Sequence, residues 1–134
     1  MIGDSIQTAI LQKALDGTWQ RQRAISNNIA NYETPGYKAK AVSFETYLQK
    51  ELNNIVGLTQ NQSFDNEEAK DSIRTSKIDE YENLSTEGRA DGNNVDLDSE
   101  NIEMAKTQIQ YQYLTRTLSD SFSRLRYAIS EGRR

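Results

Sequence analysis

Residues 91–100, Asp-Gly-Asn-Asn-Val-Asp-Leu-Asp-Ser-Glu, crowd together oxygen ligands of the kind that bind calcium. A calcium-binding helix–loop–helix needs Asp at loop position 1, Asp or Asn at 3 and 5, Gly at 6 and Glu at 12. Counting from Asp91 puts Val95 at position 5 and Asp96 at position 6. Counting from Asp96 puts Asn101 at position 6 and Thr107 at position 12. Neither frame supplies the set, so this run reads as a turn followed by a helix cap and not as a metal site. The carboxylate pairs Glu67-Glu68 and Asp79-Glu80 raise a second chemistry, acid–base hydrolysis. Both sit in polar segments with no apolar surroundings to raise a pKa, which that chemistry requires. The chain has no cysteine and no histidine, which removes thiolate catalysis, disulfides, Cys/His zinc sites and imidazole acid–base work together. No glycine-rich phosphate loop and no Gly-x-Ser-x-Gly is present. The sequence therefore points away from an enzyme, with no catalytic residue, cofactor or metal ligand assigned.

Composition agrees. Hydrophobic residues make up 35% of the 134 positions and aromatics 8%, and the mean hydropathy is −0.84, poor material for a thick globular core. The net charge of −4 is unevenly spread. Residues 65–103 carry thirteen acidic and four basic side chains, whereas residues 104–134 carry six basic and two acidic. An acidic body with a basic tail is not a nucleic-acid footprint, which wants a basic face. The terminal "RLRYAISEGRR" reads as a solvated helix end whose cations suit the dipole. No stretch approaches the roughly 18 apolar residues of a membrane span. The opening "MIGDSIQTAILQKALDG" lacks the basic start and apolar run of a secretory signal, so any export is expected to use no cleaved signal peptide.

Two long helices must position whatever this chain presents. Leu11, Leu15, Thr18, Gln22, Ile25 and Ile29 recur at alternating spacings of four and three, a heptad seam that predicts a helix to about Tyr32. Met104, Gln108, Tyr111, Thr115, Leu118, Phe122, Leu125 and Ile129 form a second seam, on a helix starting near Asp96 to Ser99. Both seams have polar residues in mid-stripe, and an isolated pair with such seams buries little apolar surface. Ile10, Trp19, Ile102, Ile109, Tyr113 and Leu114 widen each helix's apolar surface. That width suits helices contacting several neighbouring copies, or equally a plain helical hairpin with a broad core-facing stripe.

Between the helices lies polar material. "AVSFETYLQKELNNIVGL" predicts a short helix with Phe44, Tyr47, Leu48, Leu52 and Ile55 on one face. "TQNQSFDNEEAKDS" reads as an uncapped loop. "SKIDEYENLSTEGRADGNNVDLD" suggests a tight turn or small hairpin around Asp91-Gly92. The only proline, Pro35, disfavours helix at Thr34, and Pro35-Gly36 suits the central positions of a type II turn, so the first helix must stop just before it. The expected fold is mainly α, with long N- and C-terminal helices packed antiparallel like a coiled coil. Residues 1–33 and 96–134 form that layer, and 34–95 form a connecting segment. Matching seam lengths place Ile29 near Met104 or Gln108 and Leu11 near Phe122 or Leu125.

Residues 24–40, "AISNNIANYETPGYKAK", resemble the N-terminal signature of the rod, hook and hook-junction proteins of the bacterial flagellum. Asn27, Asn28, Ile29, Ala30 and Asn31, then Thr34, Pro35, Gly36, Tyr37 and Lys38, match it position by position. The short length and the runs "DGNNVDLDSENIEMAK" and "YQYLTRTLSDSFSRLRYAI" are similar to the proximal rod subunits of that family. The resemblance implies a structural subunit of the basal-body rod, self-assembling with other rod subunits into a hollow tube, its terminal helices forming the inner layer. It further implies contact with the membrane-ring protein and its small rod adaptor, and exit through the flagellar type III exporter to a periplasmic rod. On that reading Leu11, Leu15, Ile25, Ile29, Met104, Tyr111, Leu118, Phe122, Leu125 and Ile129 are helix-packing positions. A reading from a different class is a helical adaptor binding a single partner helix.

Overall fold

A computed structural model of the chain describes residues 5–60, 65–84 and 88–132. The order of elements is α1 (Ile6–Ala30), β1 (Lys40–Ser43), α2 (Glu45–Gln60), α3 (Asn66–Thr75), β2 (Asp79–Glu82) and α4 (Leu97–Glu131). The fold is mainly α, and α1 and α4 pack against each other.

Helix α1 begins where Ser5 caps it, the Ser5 hydroxyl accepting from Thr8 N–H at 3.1 Å. It buries Thr8, Leu11, Ala14, Thr18, Ile25 and Asn28 on one face, with Ala9, Gly17 and Ala24 beside them. The small residues bring other elements close to its backbone. A Cβ on Gly17 would stand 2.4 Å from ring atoms of Phe44, so that ring rests on the helix itself. Thr18, polar in mid-seam, is wholly buried without loss because its hydroxyl donates to Ala14 O at 2.7 Å.

The core lies between α1, β1, α2 and α3. Val42, Phe44, Leu48, Ile55, Ala69 and Ile73 meet Ala9, Ala14 and Ala24 there, with Leu114 of α4 at the margin. The face expected of α2 is the one that packs, with Leu48 and Ile55 buried, Tyr47 and Leu52 half-buried, and Phe44 buried just ahead of the helix.

One expectation needs correction and another is met in part. The stretch 59–72, read as an uncapped loop, contains most of α3, and Asp65 caps it by accepting from Glu67 N–H at 2.9 Å. A helix of ten residues is marginal alone; this one is held by Ile73, which is fully buried, and by Lys13 of α1, whose ammonium donates to Arg74 O at 2.9 Å. Of the tight turn or small hairpin expected around Asp91-Gly92, the turn forms, Gly92 N–H donating to Arg89 O at 2.9 Å with Gly92 at φ +83°, while the strands pair non-locally. Antiparallel β1 and β2 align Lys40 with Glu82 and Ser43 with Asp79, some forty residues apart. That pairing returns the chain to the C-terminal end of α1, where α4 starts.

Helix α4 is capped by Asp96, whose carboxylate accepts from Asp98 N–H at 3.0 Å, and acidic Asp98 and Glu100 occupy its first turn. Its 35 residues span about 52 Å, against about 37 Å for the 25 of α1. Glu100 lies beside Asn28, and Gln110 accepts from Arg21 at 3.5 Å, so the helices run antiparallel. This register is about one turn closer to the start of α4 than seam length suggested. Among the described residues of α4 only Thr107 is buried. The half-buried line runs through Glu100, Met104, Leu114, Leu118, Ser121 and Leu125. Along half of its length it is rotated by one residue from the heptad seam, taking Thr107, Leu114 and Ser121 in place of Gln108, Thr115 and Phe122.

Candidate functional site

Where α1 ends and α4 begins, the signature residues form a polar lock. Asn28 is buried on α1, and its amide meets the backbone of β1: Nδ2 donates to Lys40 O at 2.8 Å and Oδ1 accepts from Lys40 N–H at 2.8 Å. The same Oδ1 accepts from the Tyr37 hydroxyl at 3.0 Å. Burial pushes the Tyr37 phenol above its ordinary pKa, Lys40 opposes this, and Glu100, Glu80 and Glu82 add to it. Arg21, two turns earlier, donates to Val42 O at 3.0 Å and to the Glu45 carboxylate at 2.7 Å, its guanidinium 4.9 Å from the centre of the Phe44 ring. Alternate residues of β1 turn their backbone groups away from β2. Asn28 and Arg21 therefore occupy the place of a third strand.

Past Asn31, which caps α1, the chain makes the expected turn. Tyr37 N–H donates to Thr34 O at 3.2 Å and Gly36 has φ +73°, the left-handed value that a type II turn requires there. The Asp91-Gly92-Asn93-Asn94 run locks onto this turn from the other side. Gly36 N–H donates to Asp91 O at 2.9 Å, Lys38 to Gly92 O at 2.6 Å, and Ala39 N–H to Asn94 Oδ1 at 2.7 Å. Asn93 is fully buried and directs its Nδ2 at the carbonyls of Asn31, Tyr32 and Thr34, at 2.8–2.9 Å, while its Oδ1 accepts from Val95 N–H. These are carbonyls of the α1 C-cap and of the turn beyond it, so one buried amide ties the helix end to the turn. Arg89 stacks over Tyr32, 4.1 Å from the ring centre, and donates to the Tyr32 carbonyl.

Asn27 and Ala30 are exposed and Ile29 is half-buried, whereas Asn28 is buried; Thr34, Pro35 and Gly36 are exposed at the turn, with Tyr37 and Lys38 half-buried behind it. Among the packing positions, Leu11 and Ile25 are buried, and Leu15, Ile29, Met104, Leu118 and Leu125 are half-buried. Tyr111, Phe122 and Ile129 are exposed. Sequence reasoning passed over Asn93, Asn94, Arg89 and Arg21. Two asparagines directly after an Asp-Gly turn are the signal that could have found the first two.

The carboxylates take structural roles. Glu67 and Glu68 lie exposed in the first turn of α3, and Asp79 pairs with Lys77 at 2.8 Å. Asp91 accepts from Asn93 N–H, and Asp96 caps α4. Among the described residues no cluster of three or more carboxylates could hold a metal ion, and no helix is long and apolar enough to cross a membrane. Glu45 is pushed up by burial, but the Arg21 guanidinium and nearby backbone N–H groups bring its carboxyl below its ordinary value. Burial pushes Glu100 up; the Asn28 hydrogen bond opposes this and Glu103 and Asp96 reinforce it.

The outer surface is unusually apolar for so polar a chain. Trp19 on α1 and Ile102, Ile109, Tyr113 and Tyr127 on α4 are each more than half exposed. Ile102, Ile109, Tyr113 and Tyr127 fall on one stripe of α4, opposite the side that meets α1.

This is the architecture of a packing unit: a helical pair with a satisfied polar lock and apolar side chains facing outward. Residues 10–38 match the family model described as flagella basal body rod protein. The chain is 34% identical to flagellar basal body rod protein FlgB of Bacillus subtilis (strain 168), over 92% of each chain. It is 32% identical to FlgB of Borreliella burgdorferi over 81% of this chain and 84% of that one, and 29% identical to FlgB of Escherichia coli (strain K12) over 90% and 91%. The chain belongs to the FlgB family of flagellar basal body rod proteins.

Proposed function

We propose that this chain is a structural subunit of the bacterial flagellar basal-body rod, self-assembling with other axial subunits into the hollow proximal rod. The observation that carries this reading is the combination of a closed polar lock with an open helix surface. The lock satisfies its own hydrogen bonds, while α4 leaves the stripe Ile102, Ile109, Tyr113 and Tyr127 uncovered. Single exposed apolar residues are ordinary, but a stripe of this length marks a contact surface. Residues 1–33 and 96–134 supply the inner layer of the tube, and 34–95 reach outward to adjoining subunits. The helix-packing positions that are exposed here, Tyr111, Phe122 and Ile129, are covered by neighbours in the tube. Its partners are other rod subunits, the membrane-ring protein and its small adaptor, reached by export without a cleaved signal to the periplasmic rod; its role needs no catalysis or cofactor.

The experiment is to delete the gene, complement it with a tagged copy, and isolate basal bodies. Tagged chain in the rod fraction, with rods lost on deletion, is expected. Rods of normal length without the chain would overturn the reading, as would a stable 1:1 complex with one helical partner outside the basal body.

A further inference from the structure

A groove of about 400 Å³ opens between α1, β1 and the start of α4. Ala24, Ile25, Ala41 and Val42 line it, and Glu100 and Glu103 stand at its α4 side. Its two cations are already engaged, Arg21 with Glu45 at 2.7 Å and Lys40 with Glu80 at 3.4 Å. Among the described residues Glu103 has only an exposed pairing with Lys106, and Glu100 has no cation, with the Asn28 amide beside it. The groove therefore presents an apolar lining beside an uncompensated acid.

The opposite end of the same helix carries the complement. Leu125 is the last residue of α4 that is even half-buried; Arg126, Tyr127, Ala128 and Ile129 are exposed. Arg124 and Arg126 have no ion pair among the described residues, and Tyr127 is 67% exposed. These turns thus combine free cations with apolar side chains, which is what the groove lacks.

We propose that the groove receives the C-terminal turns of α4 from a second copy of this chain, with Arg124 reaching Glu100 and Glu103 and Tyr127, three residues on and on the same face, lying on the apolar lining. Such a contact joins different surfaces on the two copies, so it is head-to-tail and can propagate. It rests on the rod reading for its setting and adds which surfaces meet. Charge complementarity also gives it direction, since reversing one copy brings acid to acid.

The absence of native cysteine allows a direct test. Full-length Glu103→Cys chain and Tyr127→Cys chain, differently tagged, are mixed at high concentration and oxidised. The mixed disulfide is expected to exceed each like-with-like product at least fivefold, and to fall to the random ratio when Arg124→Glu is added to the second chain. Arg116→Glu, an exposed arginine in mid-helix, should leave it unchanged. A random ratio at the outset, or equal loss with Arg116→Glu, overturns the proposal. The same two chains are then co-expressed and basal bodies isolated. Chain present in basal bodies, with no mixed link there or in solution, refutes the docking and leaves the rod reading intact. A charge-dependent mixed link in solution with the chain absent from basal bodies upholds the docking and refutes the rod reading.

Discussion

The amide of Asn28 makes both hydrogen bonds to Lys40 that a neighbouring β-strand would make, accepting from its N–H and donating to its carbonyl, each at 2.8 Å. One helix side chain thus finishes a sheet edge and ties α1 to β1. Asn28→Ala leaves that buried edge unpaired, and we expect a loss of about 2–4 kcal/mol, from two backbone groups at about 1–3 kcal/mol each with partial recovery by water. Asn28→Asp removes the donor and sets a second carboxylate beside Glu100. It should be worse at pH 7 than at pH 4, as read by urea unfolding at both values.

Gly17 and Gly57 both lie inside helices, yet the same substitution should act with opposite sign. Alanine is intrinsically better than glycine in a helix by about 1 kcal/mol. At Gly57 an added Cβ meets nothing within 4 Å, so Gly57→Ala should gain up to that amount. At Gly17 the Cβ would enter the Phe44 ring, which is 2% exposed and has nowhere to go. Overpacking of about 1–3 kcal/mol outweighs the propensity gain. Thermal unfolding of the two variants should move Tm in opposite directions.

Glu100 should make stability depend on pH in the reverse of the usual carboxylate sense. Its pKa is raised in the folded chain, first by burial, so the folded state holds its proton more tightly than the unfolded state. Stability from this group is fully present below the ordinary glutamate pKa and is lost as pH rises through the folded value. Glu100→Gln retains an acceptor for the Asn28 amide and removes the titration. The variant should be more stable than the parent at pH 7, with the difference disappearing toward pH 4. A parent equally stable relative to the variant at both values would contradict the assignment.

The cross-helix neighbours Asn28 and Glu100 and the Arg21–Gln110 hydrogen bond set a register in which residue numbers on α1 and α4 sum to about 130. Leu11 then faces Leu118, and Ile25 faces Met104. A disulfide needs Cα atoms within about 7 Å. The double variant Leu11→Cys with Leu118→Cys should form an intrachain link on oxidation, whereas Ile25→Cys with Leu118→Cys should stay reduced. Non-reducing electrophoresis of the diluted chain distinguishes them.

Amino-acid order alone determined the two long helices, where α1 stops and α4 starts, and the turn between α1 and β1. Those features follow from local rules: Asp96 as a cap, a heptad period, and Pro35-Gly36 forcing one backbone geometry. The resemblance carried by residues 24–40 was equally local. Tertiary structure decided what the polar residues are for. A buried asparagine is indistinguishable in sequence from a solvated one until its partner is known, and the partners of Asn28 and Asn93 are backbone groups of β1 and of the α1 terminus. It also decided α3, whose ten mostly polar residues become a helix because Ala69 and Ile73 enter a core built mainly by other segments. The pairing of β1 with β2 lay beyond reach for the same reason, since nothing local in four residues names a partner some forty positions away. The face of α4 was misjudged by one residue along half its length. Both candidate stripes are amphipathic, and only docking on the small residues of α1 selects between them.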